Sequence, residues 1–85
     1  MELLLEKEAR KGLKRMAPKA AAAMLTRLEA IAADPRALHA NVKPLVGFKD
    51  TYRLRQGDWR AVYRLLFEEG QMRVAVVDVR GSDYQ

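Results

Sequence analysis

Two residue types that often stabilise small proteins are nearly missing from this sequence. Its 85 residues include no cysteine and one histidine, His39. The absence of cysteine excludes disulfides and thiolate zinc sites, and a single histidine gives little basis for any other metal site. No metal and no other cofactor is therefore expected. A domain of this size is marginally stable alone, so we expect a partner to stabilise it.

Long apolar runs are missing as well. Residues 1–6 contain no cationic stretch followed by a long apolar segment, which a secretory signal would have. No segment approaches the roughly 20 apolar residues that span a bilayer. These absences predict a cytoplasmic protein with no membrane association.

Acidic residues are in the minority. The chain carries 16 lysines and arginines against 11 acidic residues, a formal net charge of +5. This excess favours nucleic acid, anionic lipid or an acidic protein as a partner, and charge alone does not choose among them. With 49% hydrophobic residues the chain can bury one modest core, so residues 1–85 are expected to form a single domain.

The first part of the sequence has helical periodicity after a brief predicted strand at residues 3–5. Small or apolar residues recur at i, i+3, i+4 and i+7 over residues 7–16, which predicts one buried helix face. A second helix is expected from Pro18, which suits a first turn, to Ala33, because Asp34 precedes a proline. The predicted core positions of the two helices are Ala9, Gly12, Leu13, Met16, Met24, Leu28 and Ile31.

The second part changes to strand periodicity. Residues 35–47 contain two prolines, an asparagine and a glycine and are interpreted as a connector. Residues 51–56, 59–67 and 72–79 predict three strands joined by tight turns, with the run from Val74 to Val77 buried on both faces. The expected fold is α+β, in the order β-α-α-β-β-β, with a helix pair covering one face of an antiparallel sheet.

Basic residues concentrate where the strands are predicted. Between Lys43 and Arg64 there are six basic and two acidic residues. Arg53 and Arg55 project from one face of their strand, and Arg60 and Arg64 from one face of the next. Whether the two pairs share a face depends on the strand register. Four guanidinium groups on one face would repel one another without a polyanion or acidic partner, although a solvated surface with incidental arginines is the alternative.

The last residues form a polar tail that contains Arg80 and Tyr84. An arginine and a tyrosine beside an arginine-rich sheet can clamp a phosphate and stack on an unpaired base, which favours RNA. A frayed terminus without function is the alternative. His39 lies in the connector, away from the strand motifs, and is interpreted as a surface or packing residue.

Three segments together resemble a known family. These are residues 43–55 with Leu45, Gly47 and Tyr52, residues 57–63 with the Gly-Asp-Trp-Arg motif and Tyr63, and residues 80–84. The pattern is similar to the RelE/ParE superfamily of bacterial toxins from toxin–antitoxin operons and extends over nearly the whole chain. In the favoured RelE branch the resemblance implies a toxin that cleaves messenger RNA in the ribosomal A site and is silenced by a cognate antitoxin. The ParE branch implies inhibition of DNA gyrase instead.

The resemblance also implies a site. Arg60, Arg80 and Tyr84 are the expected catalytic residues of a metal-independent endoribonuclease, with Tyr84 as the base if neighbouring cations favour its phenolate. One departure from the family pattern is Asp78-Val79 before Arg80, which brings a carboxylate near the expected anion site. The expected RNA-binding residues are Arg53, Arg55, Lys49 and Arg64.

Overall fold

The helices form where the apolar spacing predicts them. The computed structural model describes residues 1–79, in which α1 spans Lys7–Arg15 and α2 spans Pro18–Ala33. Pro18 occupies the first turn of α2, where its missing N–H costs no hydrogen bond. The predicted helical core positions are all buried, which confirms the amphipathic assignment.

The strands form one sheet behind the helices. They are β1 (Glu2–Leu5), β2 (Val42–Pro44), β3 (Thr51–Gln56), β4 (Trp59–Leu66) and β5 (Gln71–Val79). Their order across the sheet is β1-β5-β4-β3-β2. The predicted α+β class and the β3-β4-β5 meander are confirmed. Gly57, with a φ of 60°, lies in the two-residue turn between β3 and β4.

Two details of the predicted sheet were wrong. The sheet is mixed rather than antiparallel, because β1 pairs parallel with β5 while the other neighbours are antiparallel. Parallel strands need a long connection between them, and here the two helices and strands β2, β3 and β4 lie between β1 and β5 in the chain. The predicted connector also contains a strand, β2, which pairs antiparallel with β3 at the edge of the sheet.

The core lies between the helices and one face of the sheet. Leu54 of β3 and Met72 and Val74 of β5 contribute fully buried side chains. Helix α1 approaches β5 so closely that a Cβ atom on Gly12 would lie 1.8 Å from the carbonyl oxygen of Val77. Gly12 is therefore required for this contact, because any larger residue would separate α1 from β5.

A β-bulge changes the faces of β5. Val62 pairs with Val76, but the next residue of β4, Tyr63, pairs with Val74, so Ala75 has no partner in the register. Ala75 is exposed, which corrects the prediction that the whole run from Val74 to Val77 is buried. An extra residue in one strand turns the following side chains to the opposite face.

Neither helix in the described part of the chain is long and apolar enough to cross a membrane.

Candidate nucleic-acid interface

The register between β3 and β4 brings the predicted arginines to one side of the sheet. Arg55 lies directly opposite Arg60. Alternate residues of a strand project to the same side, so Arg53 and Arg64 share this face with them. Leu54, Ala61 and Tyr63 alternate with the arginines and belong to the core on the other side of the sheet. The register therefore places both arginine pairs on the same face of the sheet, which the sequence alone did not decide. We call this surface the arginine face; it consists of Arg53, Arg55, Arg60 and Arg64.

Arg60 is the most buried of these arginines, with an exposed fraction of 6%. It lies opposite Asp78 in the β4–β5 register, and its Nε is 4.0 Å from Oδ1 of Asp78. The side chain of Asp78 is itself only 16% exposed. A buried guanidinium needs a nearby counter-charge, and Asp78 supplies it. Arg60 is thus buried on its face of the sheet, and the carboxylate of Asp78 lies beside it.

The other three arginines have no such counter-charge. Arg55 and Arg64 are exposed and Arg53 is half-buried. Their guanidinium groups form no ion pair with any acidic residue among positions 1–79. Like charges on neighbouring strands destabilise the sheet, so this part of the arginine face favours an anionic ligand.

The structure adds two cations that sequence reasoning did not place there. Lys43 of β2 lies opposite Arg53, and Arg73 of β5 lies opposite Arg64. Arg73 is paired with Glu6 at 3.6 Å. Lys43 was counted among the basic residues but was left in a connector with no defined face, because three strand residues are too few to show a period of two.

Three predicted site residues are not brought to the arginine face by the described structure. Lys49 is exposed in the loop between β2 and β3, where its carbonyl oxygen accepts a hydrogen bond from Thr51 Oγ1 at 2.9 Å. Arg80 and Tyr84 lie outside the described residues, so their roles stay predictions. Within residues 1–79 there is no cluster of three or more histidine or acidic side chains that could hold a metal ion.

The opposite side of β3 and β4 is aromatic. Tyr52 and Tyr63 are cross-strand partners whose stacked ring centroids are 5.6 Å apart. They help line a hollow of about 410 Å³ between the sheet and residues 35–39. Burial raises the pKa of Tyr63 to about 12, and the nearby Tyr52 acts in the same direction. Tyr63 is therefore protonated at neutral pH and cannot serve as a base.

His39 lies at this hollow rather than at the arginine face. Its Nε2 is 2.8 Å from the carbonyl oxygen of Asp34, so Nε2 donates a hydrogen bond to the backbone. This contact agrees with the interpretation of His39 as a packing residue.

The architecture is that of a group of small bacterial and archaeal toxins. The isolated Escherichia coli RelE toxin superposes with a TM-score of 0.80 at 21% identity, covering 98% of this chain and 87% of that chain. A chain of the archaeal RelE–RelB complex from Pyrococcus horikoshii superposes with a TM-score of 0.80 at 21% identity, covering 95% of this chain and 96% of that chain. A chain of the intact E. coli RelBE toxin–antitoxin complex superposes with a TM-score of 0.76 at 25% identity, covering 92% of this chain and 94% of that chain.

Sequence comparison gives the family. Residues 3–83 match the family model described as the ParE toxin of the type II toxin–antitoxin system parDE. No curated protein matches the chain significantly in sequence. Because the family model covers most of its length, the chain belongs to the ParE toxin family of type II toxin–antitoxin systems. The resemblance to the RelE/ParE superfamily is thereby confirmed.

Proposed function

We propose that this toxin is a metal-independent endoribonuclease that cleaves messenger RNA on the ribosome and so inhibits translation. The observation that carries the proposal is the arginine face, where the β3–β4 register gathers four guanidinium groups on the side of the sheet that the helices leave open. Guanidinium groups bind phosphates through paired N–H donors.

The chemistry requires three events at one phosphodiester. The ribose 2′-oxygen loses its proton and attacks phosphorus, and the bond from phosphorus to the 5′-oxygen breaks as that oxygen gains a proton. A 2′,3′-cyclic phosphate and a 5′-hydroxyl result. Arg60 stabilises the negative charge that builds up on the phosphorane, because a fixed cation in a partly dry site requires little reorganisation during the reaction.

Asp78 orients the proposed catalytic arginine. Its carboxylate lies on the neighbouring strand, 4.0 Å from the Nε of Arg60. Arginine remains protonated at any physiological pH, so Arg60 cannot act as the base. Tyr84 is proposed as the base and Arg80 as a second phosphate-binding group. An enzyme with so little acid–base machinery depends on the ribosome to position its substrate.

A cognate antitoxin is the proposed protein partner. Similar toxins are described in complexes named RelBE or RelE–RelB, in which RelB is the antitoxin. A neutralising segment that is acidic or amphipathic would cover the arginine face or the groove beside it. Both the message and the ribosome are cytoplasmic, so the proposal also locates the toxin in the cytoplasm.

The deciding experiment is cleavage of a translated message by the purified toxin, with and without ribosomes. Primer extension should show cuts within codons only when ribosomes translate the message, and the new ends should carry 5′-hydroxyl groups. Arg60→Ala and Tyr84→Phe should each abolish cleavage and growth arrest. Full activity in both variants would remove the proposed site.

Inhibition of DNA gyrase is the second candidate. It is favoured by the name of the matching family model. It is also favoured by Asp78, whose negative charge partly neutralises the positive charge of Arg60. A supercoiling assay with purified gyrase separates the two functions. Loss of supercoiling together with intact messenger RNA would establish the gyrase function and reject the nuclease.

A further inference from the structure

A small basic hollow lies where the arginine face meets edge strand β2. It has a volume of about 180 Å³ and is lined by Asn41, Lys43, Arg53 and Arg55. The β2–β3 pairing builds it: Lys43 lies opposite Arg53, and the backbone N–H of Arg55 donates to the carbonyl oxygen of Asn41 at 2.9 Å. Strand β3 thus contributes Arg53 and Arg55, β2 contributes Lys43, and Asn41 lies directly before β2.

The lining of this hollow is suited to an anion. It carries three positive charges and one carboxamide, and no carboxylate lines it. Among residues 1–79 none of its three cations is in an ion pair. Arginine offers a planar pair of donors, lysine a point charge and asparagine a neutral N–H donor. A phosphodiester can accept from all of them at once.

The position of the hollow relates it to Arg60. Arg55 lines the hollow and lies directly opposite Arg60, while Lys43 belongs to β2, two strands away from β4. Adjacent strands are about 4.8 Å apart, so the hollow and Arg60 are separated by roughly 5 to 10 Å along the sheet. This separation is on the scale of neighbouring phosphates in an extended single strand.

We infer that the hollow is a phosphate subsite for a nucleotide that flanks the cleavage point, with Asn41 and Lys43 as its distinguishing ligands. The inference rests on the proposed function, since it assumes that the arginine face binds single-stranded RNA. The RNA crosses the sheet from β4 towards β2, with one phosphate at Arg60 and a neighbouring phosphate in the hollow. Edge strand β2 is therefore part of the binding surface.

The test is direct binding of a 5′-fluorescein-labelled, 2′-O-methyl octauridylate, which cannot be cleaved, followed by fluorescence anisotropy at increasing KCl. For Lys43→Ala the slope of log K against log salt should shrink by about 0.7, the value for one phosphate on a single strand. At low salt the affinity should fall by about tenfold, as for the loss of one charge-assisted contact.

Two further variants sharpen this measurement. Asn41→Asp tolerates the positive φ of 63° at this position and adds a negative charge, so it should weaken binding at least as much as Lys43→Ala. Lys19→Ala removes the same charge from the exposed surface of α2 and is the matched control. If Lys43→Ala and Lys19→Ala have the same slope, the subsite does not exist.

Other outcomes separate this inference from the proposed function. If the wild type cleaves translated messages but Lys43→Ala binds the probe normally, the subsite fails and the nuclease stands. If the slope changes as expected but no message is cleaved, the subsite binds phosphate and the nuclease proposal fails. If Lys43→Ala instead weakens only the complex with co-expressed antitoxin, the hollow receives an acidic protein segment and the RNA subsite is overturned.

Discussion

The two faces of the sheet are made from alternate residues of the same strands, yet they have opposite compositions. On the helix-covered face, Leu54 of β3 and Ala61 of β4 are fully buried. On the arginine face, the chain neighbours of Leu54, Arg53 and Arg55, bear charge and remain half-buried and exposed, respectively. Successive residues of a strand thus alternate between side chains that stabilise the core and side chains that are proposed to bind a ligand. Substitutions on one face should therefore leave the property of the other face intact.

Arg60 is the residue that departs most from this division between a buried face and an accessible face. It belongs to the arginine face by register, but its burial and its pairing with Asp78 resemble those of a core residue. The predictions below use this contrast.

The largest effect is expected for Arg60→Ala. Removing the proposed transition-state cation should reduce ribosome-dependent cleavage by about 10²- to 10³-fold, measured by primer extension on a translated message. Arg15→Ala, which removes an exposed arginine from α1, should cleave normally.

Arg60→Ala also removes the cation that pairs with the carboxylate of Asp78, and breaking a buried ion pair destabilises a protein. The double variant Arg60→Gln with Asp78→Asn replaces the pair with neutral groups and distinguishes catalysis from folding. Normal cleavage by this folded double variant would contradict a catalytic role for Arg60.

The next largest effect is expected for Gly12→Ala on the helix-covered face. Glycine to alanine inside a helix normally stabilises a protein by roughly 0.5 to 1 kcal/mol. Here the new methyl group would overlap the carbonyl oxygen of Val77, so we expect the free energy of unfolding in urea to fall by about 2 to 3 kcal/mol. An unchanged or higher stability would show that α1 does not approach β5 this closely.

Two measurements make Gly12→Ala a test of the separation between faces. Ala23→Gly at an exposed position of α2 should cost only about 1 kcal/mol. At a temperature where Gly12→Ala is still folded, its RNA affinity should equal that of the wild type. A parallel loss of affinity would show that the two faces are coupled.

The difference in stability between Tyr63→Phe and the wild type should depend on pH in the alkaline range. Burial raises the pKa of Tyr63 from 10 to about 12 in the folded protein, so the folded state holds this proton more tightly than the unfolded state does. The contribution of this proton to the free energy of unfolding is complete below pH 10 and is lost as the pH rises towards and beyond 12. By pH 12 the loss should be on the order of 2 kcal/mol.

The measurement is urea unfolding of both proteins from pH 8 to 12. The stability of Tyr63→Phe relative to the wild type should rise across that interval, because the other titrating groups cancel in the comparison. A constant difference from pH 8 to 12 would contradict the raised pKa.

The smallest effect is expected for Asp78→Asn. Removing the carboxylate beside Arg60 should raise the affinity for the octauridylate probe by about threefold to tenfold at low salt, with a smaller gain at high salt because the interaction is screened. Unchanged or weaker binding would show that the negative charge of Asp78 does not oppose the bound phosphates.

Periodicity predicted the helices well because both are amphipathic over several turns. The predicted end of α2 at Ala33 agrees with the structure, since proline chemistry acts locally through the preceding residue. Strand β2 was missed because three residues carry no reliable period, and its pairing with β3 is a contact between distant parts of the sequence. The strand arginines proposed from the sequence do share one face, whereas the position of Lys43 opposite Arg53 was not visible in the sequence.

The sequence by itself determined the α+β class, the buried helix faces and the placement of Arg53 and Arg55 on one side of a strand. These follow from the periods of 3.6 and 2 residues, which are properties of local backbone geometry. The tertiary structure alone decided that Arg60 and Arg64 join them, that Asp78 pairs with Arg60, and that Lys43 closes a basic hollow. Each depends on strand register, and a shift of one residue would move every side chain of a strand to the opposite face.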